Sequence, residues 1–170
     1  GGVPPTDVVI IGAGTVAEFA ARSAIGLGAR VKVFDNSITK LRKLQHCLNT
    51  PIYTSTIQPK TLLKALMRCD VAIGAIRGRN RSPIVVTEAM VEQMKDGALI
   101  VDVSIDRGGC FETSKVTTHS SPTFDAHGVT HYCVPNIPSR YARTASVSIS
   151  NIFTPYLLDI AEEGGFENAA

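Results

Sequence analysis

Two glycines and an acid carry the clearest chemical signal in this chain. The run Gly12-Ala13-Gly14-Thr15-Val16-Ala17 fits the pattern G-x-G-x-x-G/A. It follows the β-branched stretch Asp7-Val8-Val9-Ile10-Ile11 and opens a helix-forming stretch from Thr15 to Leu27, which stops at Gly28. In that setting Gly12 permits a tight turn, Gly14 lets the backbone approach a pyrophosphate, and Ala17 is small enough for helix to pack closely on strand. The helix N-terminus adds unpaired N–H groups and the positive end of a dipole, which together hold a diphosphate. Glycine turns also occur without a ligand, so the acidic partner matters. Asp35 ends the next apolar run, 21 residues after Gly14. A carboxylate there accepts hydrogen bonds from an adenosine ribose and repels a 2′-phosphate, which favours NAD over NADP. The competing reading is an Asp that only caps the turn before Asn36.

The elements needed to position these residues are legible as an alternation. Val31 to Asp35 reads as a second strand, and Ile38 to Cys47 as a helix with Leu41, Leu44 and Leu48 at helical spacing. A weak strand near Ile52-Tyr53-Thr54 precedes a helix from Pro59 to Met67. Val71 to Gly74 and Leu99 to Val103 read as strands separated by a helix from Thr87 to Met94, with Val129 to Tyr132 as the last strand. Continuous apolar strands imply burial on both faces. Strand–helix alternation implies right-handed crossovers, hence an α/β Rossmann fold: a doubly wound parallel sheet with helices on both faces. The expected division is a dinucleotide-binding domain over 1–148 and a crossover helix over 149–170. That helix lies within a long pattern from Ala142 to Glu163, interrupted near Pro155.

Composition bounds the function from the other side. At 170 residues, with 44% hydrophobic and 19% charged, the chain is one globular domain and little more. A net charge of +2 gives no large basic surface for nucleic acid. Apolar runs of five residues or fewer cannot span a bilayer, and no charged-then-apolar leader opens the chain. The opening Gly1-Gly2-Val3-Pro4-Pro5, without an initiator Met, points to a piece of a longer polypeptide. Cys47, Cys69, Cys110 and Cys133 form no CxxC pair and lie at no zinc spacing, so no metal site is expected. Four unpaired thiols suit a reducing cytoplasm, where they serve as small apolar fillers.

In a doubly wound sheet the ligand crevice lies beyond the C-terminal strand ends, where strand order reverses. Three loops should meet there: the glycine turn, the loop from Ala75 and Ile76 to Pro83, and Ser104 to Cys110. Asp106 is the one carboxylate of the third loop, placed before Gly108-Gly109. Near a nicotinamide it would organise water or a proton relay; the plainer alternative is a loop cap.

The stretch Val101 to Ser114, with Asp106-Arg107-Gly108-Gly109-Cys110-Phe111-Glu112 at its centre, resembles the signature stretch of alanine dehydrogenases. So do Thr117-Thr118-His119, Pro122-Thr123-Phe124, and His131-Tyr132-Cys133-Val134-Pro135-Asn136-Ile137-Pro138. The opening residues, the glycine turn, the helix from Thr87 to Lys95 and Arg143-Thr144 are similar to that family too. The transhydrogenase α subunit shares some of these motifs, but the second half looks closer to alanine dehydrogenase. The resemblance implies reversible oxidative deamination of L-alanine to pyruvate and ammonia, with hydride passing to NAD. On the matching positions Asp35 and Lys40 would hold the adenosine ribose, and Gly14, Thr15 and Val16 would border the pyrophosphate. Ala75 and Ile76 join Gly12 as candidate cofactor contacts. Ile105, Asp106 and Asn136 would face the nicotinamide end, with Asp106 the catalytic carboxylate.

The resemblance also implies a second domain, built mainly from residues before Gly1, that carries the substrate arginine and the catalytic lysine and histidine. This chain would then bind NAD(H) without turning over an amino acid or 2-oxo acid. Members of the family are commonly hexamers, so a homo-oligomer is expected. His46, His119, His127 and His131 match no catalytic position and read as structural or solvated. Two departures from the family pattern stand out. Arg77-Gly78-Arg79-Asn80-Arg81 stands where the family has a proline-glycine turn with few charges, and would either clamp an anion or remain a solvated basic loop. Ile57 stands where the family has a serine near the adenosine. The other readings of the chain are a transhydrogenase-type NAD(H) domain and a non-catalytic NAD-sensing module.

Overall fold

A computed structural model describes residues 2–78, 80–162 and 164–165. The chain divides into two compact units, Gly1–Pro135 and Asn136–Ala170. In the first unit the strands are β1 (Asp7–Ile11), β2 (Arg30–Phe34), β3 (Tyr53–Ser55), β4 (Val71–Gly74), β5 (Leu99–Asp102), β6 (Thr123–Ala126) and β7 (Val129–Tyr132). The helices are α1 (Thr15–Gly26), α2 (Ile38–Leu48), α3 (Pro59–Leu66) and the single turn α4 (Glu88–Val91). All seven strands join one sheet in the order β3-β2-β1-β4-β5-β7-β6. Every pairing is parallel except β6 with β7.

The central strand shows why the sheet is covered on both sides. Val9 and Ile11 pack with Phe34 and with Leu62 and Leu66 of α3, while Val8 and Ile10 meet Ala17 and Ala21 of α1 and Leu41 and Leu44 of α2. Burying each of these larger side chains contributes about 1.5–3 kcal/mol. Local signals fix the helix ends. The Ser37 hydroxyl caps α2 by accepting the Lys40 N–H at 3.3 Å, and Asn49 ends that helix in the left-handed region at φ 53°. Pro59 opens α3, where no N–H is needed.

In this unit one strand is added to those expected and two element bounds are corrected. The doubly wound, mostly parallel sheet is as expected, and it gains one antiparallel edge strand where Thr123–Ala126 forms β6 and returns through His127-Gly128 into β7. Both turn residues have positive φ, 54° and 72°, as a two-residue hairpin turn requires. The turn is seated where the Gly97 N–H donates to the Gly128 carbonyl at 2.7 Å and where a Cβ on Gly128 would collide with the Asp96 carboxylate. The helix expected over 87–94 shrinks to α4. The Met94 N–H bonds the Val91 carbonyl at 2.9 Å, three residues back, so the chain tightens and drives Met94 into the core. Finally, β5 stops at Asp102, and Val103–Arg107 forms a 3-10 turn that carries Asp106.

The second unit contains a short 3-10 turn, Ile137–Tyr141, and the helix α5, Ala142–Glu162. The helix runs through Pro155 rather than breaking there, so Pro155 removes one main-chain donor without ending it. Glu163, expected at its end, lies outside the described residues. No described residue of α5 is buried. No described helix is long and apolar enough to cross a membrane.

Candidate functional site

The glycine turn, Ala75 and the 3-10 turn leave the C-terminal ends of β1, β4 and β5, which are neighbours in the sheet. The strand order reverses between β1 and β4, which makes this the switch point where a doubly wound sheet opens a crevice.

The two glycines are required for different reasons. Gly12 adopts φ 112°, its N–H donates to the Phe34 carbonyl at 2.7 Å, and a Cβ would meet the Ala75 carbonyl, with its carbon 2.7 Å away. The protein itself demands this glycine. Gly14 caps α1 with φ −88° and ψ −169°, and a Cβ there would meet no protein atom within 4 Å. Nothing in the protein demands it. Gly14, Thr15 and Val16 are exposed, no side chain caps the N-terminus of α1, and Ala17 is fully buried beneath. The first turn therefore presents free N–H groups and the positive dipole end to open space.

Asp35 is 7% exposed, and its carboxylate ties two loops together. One oxygen accepts the Ala13 N–H at 2.8 Å and the other accepts the Ser37 N–H at 2.7 Å. The expected turn cap and the expected ligand group are thus the same side chain, since each carboxylate oxygen keeps a further lone pair. Lys40, exposed on the first turn of α2, lines a depression of about 190 Å³ with Gly14, Thr15 and Lys43. Ile57 is half-buried, and its N–H donates to the Asn36 side chain at 3.2 Å.

At the other side of the crevice, the Ala75 N–H bonds the Ile11 carbonyl at 2.8 Å and the Ile76 N–H bonds the Ser104 hydroxyl at 3.1 Å. Asp106 is exposed, whereas Ile105 is 4% exposed, with its Cδ1 3.5 Å from where a Gly109 Cβ would stand. Asn136, at φ 51°, begins the second unit. In the basic loop, the Ser82 N–H donates to the Arg107 carbonyl at 2.9 Å, and its hydroxyl donates to the Ile76 carbonyl at 3.1 Å. Arg81 lies across Gly108, its Nε 2.7 Å from where a Cβ would be. Arg77 is exposed; Arg79 lies outside the described residues.

One organising residue was not singled out by sequence reasoning. Asp102, 1% exposed, accepts the N–H groups of Ser104 and Cys110 at 3.0 and 2.9 Å and the Ser114 hydroxyl at 2.7 Å. It thereby shapes the segment that carries Asp106. The available signal was an acid closing a buried strand seven residues before a glycine pressed onto it: a Cβ on Gly109 would come 2.7 Å from Asp102 Oδ2. The buried thiols are inert. Burial pushes Cys69 up to about 12 and lifts Cys110 and Cys133 above the usual thiol range. His131 is fully buried, with Nδ1 2.9 Å from the Val129 carbonyl and Nε2 2.8 Å from the Thr113 hydroxyl. Since a carbonyl only accepts, Nδ1 carries the proton and Nε2 accepts from Thr113. Burial holds this ring below the usual histidine range, so it is a structural, neutral imidazole.

Comparison with known proteins places this architecture. A family model described as "Alanine dehydrogenase/PNT, C-terminal domain" matches residues 1–170. The alanine dehydrogenase of Mycolicibacterium smegmatis is 43% identical over 164 residues, covering 96% of this chain and 44% of that protein. That of Bacillus subtilis is 41% identical over 171 residues, covering 99% and 45%. The chain thus spans under half the length of these relatives. Among solved structures, an L-alanine dehydrogenase superposes with TM-score 0.89 at 40% identity, over 96% of this chain and 45% of that one. A transhydrogenase from Sinorhizobium meliloti superposes at 0.80 with 25% identity, over 94% and 46%. With its full length matched and its fold shared, the chain belongs to the alanine dehydrogenase/PNT C-terminal domain family.

Proposed function

We propose that this chain is the NAD(H)-binding domain of an alanine dehydrogenase, which carries out reversible oxidative deamination of L-alanine to pyruvate and ammonia. The observation that carries the reading is Gly14: a glycine with no neighbour to accommodate, exposed at an uncapped helix N-terminus on the sheet's switch point. A diphosphate fits there because its oxygens can approach the bare backbone and take the N–H groups of α1. Asp35 would accept the adenosine ribose hydroxyls while holding Ala13 and Ser37, and its charge would exclude a 2′-phosphate. Lys40 would reach the same ribose. Bound NAD supplies the hydride acceptor. At the nicotinamide end Asp106 would hold or move a proton on the reacting side, positioned by the Asp102 bonds. Ile105 would face the nicotinamide end from the same turn.

The substrate pocket, and the lysine and histidine that work in it, belong in this reading to the part of the longer polypeptide that this chain does not span. The segment 149–170 would lead back toward it, and the assembly would be a homo-oligomer. The greater identity to alanine dehydrogenases than to the transhydrogenase favours this substrate over nucleotide-to-nucleotide hydride transfer.

The test is calorimetric titration of the chain with NAD, NADH and NADP, repeated on Gly14→Ala and Asp35→Asn. Saturable NAD(H) binding, with NADP much weaker and both variants at least ~10-fold weaker for NAD(H), supports the reading. Equal NADP binding, or a Gly14→Ala variant that binds NAD as the wild type does, would sink it.

A further inference from the structure

We propose that the groove between α3 and the β2–β3 edge is a second ligand site, one that takes a small anion carrying a flat ring, of the nucleoside phosphate class. It lies on the α3 face of β2, with Lys32 at mid-strand and Phe34 in its floor, whereas the cofactor crevice lies past the C-terminal strand ends. None of the crevice residues Gly12, Gly14, Asp35 and Lys40 lines it.

The groove is assembled by strand alternation and helix periodicity. Lys32 and Phe34 point to the same face of β2, and Lys32 sits in register beside Tyr53 of β3. From the facing helix come Thr61, Lys64 and Ala65, with Arg68 in the turn that follows, spaced to share one side of α3. These residues enclose about 260 Å³. Lys32, Tyr53 and Arg68 also line an adjoining hollow of about 390 Å³ that reaches Arg30 and Asp7. Together the two hollows are of the size that holds a drug-sized ligand.

Charge and apolar surface are arranged in parts. Arg30 is committed to Asp7, with bonds of 3.0 and 2.7 Å. Among the described residues, no carboxylate lies within 4.0 Å of Lys32, Lys64 or Arg68. Three cations thus line one groove without a counter-charge on them, and Lys32 is half-buried. Oxygens of a phosphate would meet both Lys and Arg donors there. The floor beside them is aromatic. Phe34 is fully buried, and the Tyr53 ring lies 6.1 Å from it at 53°, itself 49% exposed. A bare anion would leave that ring uncovered, while a nucleobase stacked on it would gain apolar contact and cation–π support from Arg68.

The experiment is calorimetric titration of the chain with ATP and with inorganic pyrophosphate. It compares the wild type with Lys64→Glu/Arg68→Glu, Tyr53→Ala and the crevice variant Gly14→Ala. Lys64 and Arg68 are exposed, so charge reversal should leave Tm unchanged, which is checked first. Since the crevice in our reading also takes adenosine and diphosphate groups, the groove is read with the crevice weakened: ATP binding should persist in Gly14→Ala and fall at least ~10-fold when Lys64→Glu/Arg68→Glu is added to it. Tyr53→Ala should weaken ATP several-fold and leave pyrophosphate unchanged. ATP binding that disappears with Gly14→Ala belongs to the crevice and overturns the proposal. So does ATP binding indifferent to the charge reversal. Equal effects of Tyr53→Ala on ATP and pyrophosphate would overturn the nucleoside assignment. Because the groove variants leave the crevice intact, these failures are distinguishable from failure of NAD binding itself.

Discussion

The two glycines of one turn do separable work, and substitution can separate them. At Gly12 an alanine would need φ near 112° and room already filled by the Ala75 peptide. Gly12→Ala should therefore cost at least ~2 kcal/mol of stability, read as a lower urea midpoint. At Gly14 the backbone suits any residue and the space is open, so Gly14→Ala should match or slightly exceed wild-type stability while losing cofactor affinity. A Gly14→Ala protein that unfolds early would show that the protein, not a ligand, needs that glycine. The two acids of the second half divide in the same way. Asp102→Ala strands buried donors on Ser104, Cys110 and Ser114, at roughly 1–3 kcal/mol each, so a loss of at least ~3 kcal/mol is expected in urea unfolding. Asp106→Asn, on the exposed turn four residues later, should change stability by less than ~1 kcal/mol. In our reading its effect would fall on the reaction of the longer polypeptide.

Among the elements, legibility tracked burial. β1, β2, β4 and β5 are covered on both faces, so they read as short apolar runs with glycine or acid at the exit. Their residues set the glycine turn and Asp35 where the alternation implied, whereas Val103, expected in β5, opens the 3-10 turn. β6 was not legible. It is an edge strand of alternating exposure whose turn is His127-Gly128 rather than an Asn-Gly or Asp-Gly pair. Asp102 was equally hidden, because its partners sit 2 to 12 residues downstream and meet it only after the chain folds back. The edge hairpin has a pH signature of its own. His131 of β7 is buried neutral, stacked 4.8 Å from Phe124 of β6. The unfolded histidine binds its proton near pH 6.5 and the folded one only below that, so the unfolded state holds more protons in the window beneath 6.5. Stability is therefore full above that pH and declines as the pH falls from it, by at most ~1.4 kcal/mol per pH unit. Urea unfolding at pH 7.5 and 5.5 should show the decline in the wild type. His131→Leu should be less stable at pH 7.5, having lost the Thr113 bond, yet flatter between the two. A variant with the same slope as the wild type would assign the dependence elsewhere.

At the scale of the whole molecule, the two units differ in what holds them. The first has a sheet with a core on each face; the second is dominated by a 21-residue helix in which no described residue is buried. Val147, Ile149, Ile152, Phe153, Leu157 and Leu158 are each more than half exposed. An amphipathic helix derives most of its stability from packing an apolar face, and an isolated one loses most of that support. These side chains are also too many and too close to be the scattered surface apolars that need no explanation. The longer relatives, of which this chain spans under half, offer the covering surface in our reading. Hydrogen exchange on the chain at a concentration where it is monomeric should therefore find α5 amides exchanging several orders of magnitude faster than those of β1. Raising the concentration until chains associate should slow α5 more than β1 if a second copy can cover the same face. Equal protection of α5 and β1 in the monomer would mean that the helix carries its own stability, and the assignment of 149–170 as a segment awaiting another domain would fall.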